Sequence, residues 1–332
     1  MFEPARRPVS RRTVLSSLSC ITIAATSRSW AQEGFPSRAL RLVVPAPPGG
    51  LSDLVGRLIA DALQADLKQT VVVDNRPGAA GLIGTQAVAE SPPDGYTVLL
   101  TSTSNHILAP LTQKAARVDP VRDLAPVGLA LRSVGVFVVA AALPARTLAE
   151  FVAVARSRPG QLNFGSAGIG SANHVLTERF KTLAGIDLVH VPYRGGAPMM
   201  TAVMAGEVQF ALLDFATAEL ALKAGKARPL AQTGSRRHVA LEQVPTLAEA
   251  GFKDYDPSFW VGLAVPKATP AAVVEQLNVA LNTALGQTAF KARAQALGWT
   301  LIGGKPSVMA DTVARETASF RETTAGLNLD RQ

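Results

Sequence analysis

The chain has 332 residues, 48% of them hydrophobic and 17% charged, with a formal net charge of +8, four histidines and a single cysteine. That length supports two lobes better than one core. The positive surplus is spread out, without basic stripes or interleaved aromatics, so a nucleic-acid surface is not expected.

The first residues carry Arg6, Arg7, Arg11 and Arg12 against Glu3, and an uncharged stretch over 13–26 follows. Small residues around Ala31 then complete the three parts of a secretory signal, expected over 1–31 with a cut before Gln32. The apolar middle is too short for a membrane span. Ser10 to Leu15, with Arg11 and Arg12, is similar to a twin-arginine export signal. Cys20 lies mid-way through the apolar stretch, poorly placed for a lipid anchor. The leader holds five arginines and one glutamate, a net +4, which leaves +4 on the mature part. A mature chain from Gln32 has no cysteine and no further long apolar run, so it is expected to be soluble, monomeric and free of disulfides.

The segment 41–44 reads as a short buried strand, broken by prolines and glycines at 45–50. Helical spacing starts at Ser52 and Asp53, with Leu54, Leu58 and Ala62 on one face, widened by Val55, Ile59 and Leu63. A strand over 70–73, a helix over 81–89, a firm turn at 91–95 and a strand over 97–100 follow. A second unit begins near Val134, with a strand over 136–139, a helix over 147–156 and a strand over 163–165 entering a glycine-rich loop. Strands over 188–191 and 208–213 continue the alternation, and 245–258 reads as a connection between lobes. A late strand over 260–265 and helices over 270–285, 289–297 and 306–320 end the chain. The predicted fold is two-lobed α/β, each lobe a mostly parallel central sheet flanked by helices.

Two loops carry the chemical message. In 45–53, the run Ala46, Pro47, Pro48, Gly49, Gly50, Leu51, Ser52 lets backbone approach a ligand and presents a helix N-terminus to an anion. Its spacing is neither a P-loop nor a dinucleotide fingerprint, and a plain tight turn is the competing reading. Asp53 is expected to cap its own helix and so turn its charge away from the ligand. The loop of Ser166, Ala167, Gly168, Gly170 and Ser171 repeats the arrangement, with His174 one turn into the next helix. Two such loops, one per lobe, suggest a cleft closing on a small acid. Asp214, at the end of a strand, stands where open α/β sheets bind ligands; capping the next helix is its alternative. Tyr193 and Arg194 also follow a strand, and Arg194 either pairs with a carboxylate or faces solvent. Phe259 and Trp260 either line the cleft or pack between lobes. A Ser166–His174 hydrolytic pair lacks an evident acidic partner, so catalysis is not expected. His106, His174, His190 and His238 are too dispersed for a metal site, and no cofactor is expected.

These segments resemble the solute-binding receptors of tripartite tricarboxylate transporters, also called the Bug family. The resemblance runs through 41–50, 74–78 with Gly81 and Gly84, 92–97, 162–168, 189–195, 223–226 and 244–251, in consistent order over almost the whole mature chain. It implies a type II-like periplasmic binding protein: lobe 1 over 32–130 plus 256–332, lobe 2 over 131–255, and two crossing strands as a hinge. It further implies capture of a small mono-, di- or tricarboxylate, aromatic acids included, and delivery to the transporter's membrane permease subunits; a membrane sensor is the alternative partner. The loops 46–53 and 166–174 would contact the solute, and Thr101, Ser102, Ser104, Asn105 and Asp214 would border the pocket. The family's first loop commonly has an aromatic residue at position 46, a third glycine at 51 and threonine at 52. Here Ala46, Leu51 and Ser52 replace them, and Ala80 and Leu82 stand where glycine and asparagine are frequent. Those departures point to a less polar or larger acid than citrate.

Overall fold

The computed structural model describes residues 34–113, 116–257 and 259–325, so the expected export signal over 1–31, with Cys20 and the cut, lies outside the described residues. In chain order, β1 (Leu40–Val44), α1 (Leu51–Leu67), β2 (Val71–Asn75), α2 (Leu82–Ala89) and β3 (Thr97–Ser102) alternate as the apolar spacing requires. Helix α1 buries Val55, Ile59 and Leu63. It lies so close to β1 that a Cβ on Gly56 would sit 2.7 Å from Val44 Cγ2. A π-helical turn (Ser104–Leu108) and the short helices α3 (Ala109–Thr112) and α4 (Pro120–Asp123) lead to β4 (Leu124–Ser133).

The second half runs β5 (Gly135–Ala140), α5 (Leu148–Ser157), β6 (Asn163–Ser166), α6 (Ala172–Ala184), β7 (Val189–Pro192), α7 (Gly196–Ala205), β8 (Phe210–Asp214), α8 (Phe215–Lys223) and β9 (Ala227–Gln232). The chain then returns through β10 (Phe259–Pro266), α9 (Ala271–Gly286), α10 (Thr288–Ala296), β11 (Trp299–Leu301) and α11 (Pro306–Ala325).

Two sheets result, in the orders β11-β4-β10-β3-β1-β2 and β7-β6-β8-β5-β9. Strands β1, β2 and β3 are mutually parallel, as are β6, β7 and β8. The crossing strands change this: β10 runs antiparallel to β3 and β4, and β5 antiparallel to β8 and β9. Both sheets are therefore mixed. The reason is directional: the parallel strands end at the face between the sheets, whereas β5 and β10 begin there, having just crossed from the other sheet. The crossings fall at Val134, between β4 and β5, and between Gln232 and Phe259.

Strands β4, β9 and β11 have no counterpart in the sequence reading. β4 contains Pro126 and β9 contains Pro229, each beside a register shift, where the missing N–H breaks no regular ladder. β11 has only three residues. The second lobe is filled by aromatic rings: Phe151 stacks on Phe210 at 4.5 Å, and Phe137 meets Phe180 edge-on at 4.9 Å. The first packs Val43, Leu99, Leu129, Trp260 and Met309. Among the described residues, no helix is long and apolar enough to cross a membrane.

Candidate functional site

A cavity of about 870 Å³ opens between the two sheets. It collects the C-terminal ends of the parallel strands: Pro45 follows β1, Pro77 follows β2, Ser102 ends β3, Ala167 follows β6, Pro192 ends β7 and Asp214 ends β8. This is where the topology of open α/β sheets leaves a crevice. The same topology aims helices at it. Gly50, Gly81, Ser171, Gly195 and Asp214 are the N-cap residues of α1, α2, α6, α7 and α8, and all five line the cavity. Each helix start carries about half a positive charge from its unpaired N–H groups, so an anion is favoured where α1, α2, α6 and α7 converge, whereas the Asp214 carboxylate already caps α8.

Thirteen of the expected site residues line this cavity: Ala46, Gly50, Leu51, Ser52, Ser102, Ser104, Asn105, Ala167, Gly168, Ser171, Tyr193, Arg194 and Asp214. Phe259 and Trp260 line it as well, from the first residues of β10. Among the described lining residues Arg194 and Asp214 are the charged ones. Arg194 is exposed, whereas Asp214 is buried and serves as the N-cap of α8, accepting from the Thr217 N–H at 2.9 Å and from the Thr217 hydroxyl at 2.7 Å. Burial pushes the Asp214 carboxyl above its ordinary pKa, outweighing the Thr217 bonds that pull it down.

Pro48, Gly49, Asp53, Thr101, Ser166, Gly170 and His174, expected at the ligand, are not among the lining residues. Several of them hold the wall from behind. Asp53 is not the N-cap, which is Gly50; it sits in the first turn of α1 and reaches back to the Gly49 N–H at 3.1 Å. The Asn75 amide donates to the same carboxylate at 3.0 Å and to the Ala46 carbonyl at 3.0 Å, while Arg57 pairs with it at 3.0 Å. Burial alone would raise the Asp53 pKa; the bonds from Arg57, Gly49 and Asn75 outweigh it and hold the group below the ordinary value. Thr101 is buried against His106, Oγ1 to Nδ1 at 2.9 Å, and accepts from Asn105 at 3.3 Å. Asn105 in turn accepts from the Ser102 N–H and hydroxyl, which fixes the polar segment that faces the cavity.

The second glycine loop is also secured from beneath. Ser166 is hydrogen-bonded to His190 Nε2 at 2.6 Å and accepts from the Gly168 N–H at 3.1 Å. His174 accepts the Gly170 N–H at Nδ1, 3.1 Å, and stacks on His190 with ring centroids 3.9 Å apart. The supposed Ser166–His174 pair is therefore absent: each side chain has a different partner, and both are buried. Burial above all, then the neighbouring His190 and Lys181, pushes His174 down to about 3, so the ring is neutral at physiological pH.

Pro77, Gly78, Ala79 and Gln113, which the sequence did not single out as site residues, line the cavity, as do Ala80, noted as a departure from the family, and Ile169 and Asn173 of the expected 166–174 loop. The glycines at 78 and 81 were the available signal for the first of these. Gln113 and Ile169 meet across the cleft, the amide donating to the Ile169 carbonyl at 3.2 Å. Ser104 completes a second link by accepting the Ala172 N–H at 3.0 Å, at the start of α6. The two lobes thus touch across the cleft.

Residues 55–313 match the family model described as "Tripartite tricarboxylate transporter family receptor". The chain belongs to that family. A relative described as a UPF0065 protein in the tcbD-tcbE intergenic region of Pseudomonas sp. (strain P51) is 35% identical over 315 residues, covering 95% of this chain and 94% of its own. The solved structure of R. palustris Rpa4515 with adipate superposes with a TM-score of 0.85 at 34% identity, over 88% of this chain and 97% of that one. MatC (Rpa3494) from Rhodopseudomonas palustris, with bound malate, gives 0.83 at 29% identity, over 87% and 99%. The receptor is thus a two-lobed periplasmic solute-binding protein.

Proposed function

We propose that this receptor captures a small organic acid by its carboxylate in the interlobe cavity and delivers it to the membrane permease subunits of a tripartite tricarboxylate-type transporter. The observation that carries the reading is the convergence of four helix N-termini, those of α1, α2, α6 and α7, on one cavity, with Arg194 at its wall. The residues taken to meet the solute are the thirteen lining residues named above, and the seven behind them are taken to hold the loops in shape. Lobe 1 is assigned to 32–130 plus 256–332 and lobe 2 to 131–255, with the end of β4, residues 131–133, still paired in the first sheet.

Leu51, Ile169, Leu213, Phe259 and Val261 give the cavity a substantial apolar wall. Ala46 leaves room where the family commonly has a ring. A solute with one carboxylate at the helix starts and a longer or less polar body suits this shape better than citrate. Adipate, held by Rpa4515, has such a body, and malate, held by MatC, is the compact contrast.

Thermal denaturation of the mature chain against a panel of organic acids tests the proposal, since a ligand bound only by the folded state raises apparent stability. The expected outcome is a rise in Tm that saturates with adipate or an aromatic acid and is smaller with malate or citrate. No rise with any acid would defeat the reading, and a greater rise with citrate would defeat its specificity part.

A further inference from the structure

Glu316, on α11, lies outside the cavity lining, yet its side chain is only 15% exposed. One carboxylate oxygen accepts the indole Nε1–H of Trp260 at 2.7 Å; the other accepts Arg132 Nη2 at 3.0 Å. Trp260 and Arg132 face each other in the β10–β4 register. They are also the residues next to the crossings: Arg132 lies two positions before Val134, and Trp260 is the second residue of β10. A single carboxylate therefore grips both strands at the point where they leave the first lobe.

Trp260 is held on its other sides too. Its backbone N–H donates to Thr103 Oγ1 at 3.2 Å, and its ring lies 6.0 Å from that of His106. Thr103, Phe259, Trp260 and Val261 all line the cavity. A buried indole N–H whose acceptor is removed is left without compensation, so the ring would have to move to find another. Any such movement passes directly into the cavity wall and into the crossing strands.

We propose that Glu316 is a positioning residue: by fixing the Trp260 indole and tying β10 to Arg132 of β4, it sets the shape of the cavity wall and the angle at which the lobes cross. The consequence for solute affinity rests on the receptor reading above; the consequence for Trp260 does not.

The mature chain from Gln32 contains two tryptophans, Trp260 and Trp299. The Trp299 indole N–H has no hydrogen-bond partner among the described residues, so Trp299→Phe is a mild background that leaves Trp260 as the reporter. In it, Glu316→Ala is expected to move Trp260 emission to longer wavelength and increase its quenching by acrylamide. Glu316→Gln keeps an acceptor for the indole and is expected to stay close to the parent in emission. With adipate as the probe, both variants should weaken binding, Glu316→Ala by about 3- to 10-fold and Glu316→Gln by less. Parent-like emission and quenching in Glu316→Ala, at an unchanged circular dichroism spectrum, would overturn the proposal; so would a Glu316→Gln variant as perturbed as the alanine one. Should Glu316→Ala fail to fold, Glu316→Met, which keeps the bulk but offers the indole no strong acceptor, decides in its place: red-shifted, more quenchable Trp260 emission is expected, and parent-like emission would overturn the proposal. A parent that does not bind adipate counts against the ligand reading alone, and emission then decides this one.

Discussion

The two glycine loops look alike in the chain and are built alike in space, but they are anchored by opposite chemistry. The 45–53 loop is pinned by a charge: Asp53 gathers the Gly49 N–H, the Asn75 amide and the Arg57 guanidinium. The 166–174 loop is pinned without a carboxylate: Ser166 on His190, and Gly170 on the His174 ring that stacks over His190. Both solutions keep the loop's own anchor from putting negative charge on the cavity side; the carboxylate at the wall, Asp214, comes from the end of β8. In the first loop Arg57 offsets the carboxylate; in the second there is no carboxylate to offset. A helix N-terminus attracts an anion only if its own anchor does not cancel the field, and the two lobes meet that condition by different routes.

The anchors should therefore fail at different pH, and this is the largest expected effect. His174 titrates at about 3 in the folded protein against an ordinary 6.5. Between those values the unfolded chain binds a proton that the folded one does not. Its contribution is whole above pH 6.5 and is lost as pH falls, by about 1.4 kcal/mol per pH unit. His106, pushed down to about 4 by burial, adds the same slope over its own window. Urea midpoints measured between pH 6.5 and 4.5 should show both, and His174→Asn should remove one. Asp53 lies below its ordinary 3.8, so its contribution is whole above that value and lost only as pH falls through its folded pKa. Asp53→Asn should leave the slope above pH 4.5 unaltered; a changed slope there would break the contrast.

At neutral pH the charged anchor shows directly. Asp53→Asn replaces an acceptor of the Gly49 N–H and of Arg57 with an amide that cannot serve both, at a cost of about 1.5–3 kcal/mol in chemical denaturation. Ser166→Ala, which removes a neutral anchor, should cost about 1 kcal/mol by the same measurement. Equal losses would mean that the charge on Asp53 contributes nothing beyond its shape.

Gly195 tests the cleft rather than either anchor. It holds φ 113° and ψ 177°, a region essentially reserved for glycine, and a Cβ there would lie 2.5 Å from Pro47 Cγ in the opposite loop. Gly195→Ala should cost about 1–2 kcal/mol of stability. It should also weaken adipate binding beyond that of an exposed control such as Gly206→Ala, because it obstructs the approach of the two lobes. An unchanged dissociation constant would show that this approach is not needed for binding.

The architecture was legible in the chain because strand, glycine break and helix recur with clear apolar spacing. The facing of polar loop residues was not. Whether Asp53 points into the cavity or behind it depends on Asn75, and the fate of Ser166 depends on His190, each more than twenty residues away in sequence. Local pattern places such residues in the right loop without choosing a side. Pro126 and Pro229 hid β4 and β9 for a related reason, since a proline reads as a break until the bulge that accommodates it is seen. Glu316 gave no local sign at all, because its partners Arg132 and Trp260 come from two other elements.

The smallest expected effect concerns the third loop at the cavity, 77–81, which neither anchoring scheme covers. Ala79 and Ala80 both have left-handed backbone, at φ 48° and 50°. For an L-residue this conformation costs about 1–2 kcal/mol, and glycine would adopt it freely at an unfolded-state entropy penalty of about 0.5–1 kcal/mol. The two positions nevertheless differ. The Ala79 side chain is exposed, so Ala79→Gly forfeits no packing and should stabilise by about 0.5 kcal/mol in urea midpoint. The Ala80 methyl packs against the cluster of Leu82, Ala109 and Val118, so Ala80→Gly loses part of the ~0.8 kcal/mol that a buried carbon contributes and should come out near zero. If Ala80→Gly proved the more stabilising of the two, the methyl would be strained in its pocket, and alanine at 80 would owe its place to the cavity wall instead of to packing.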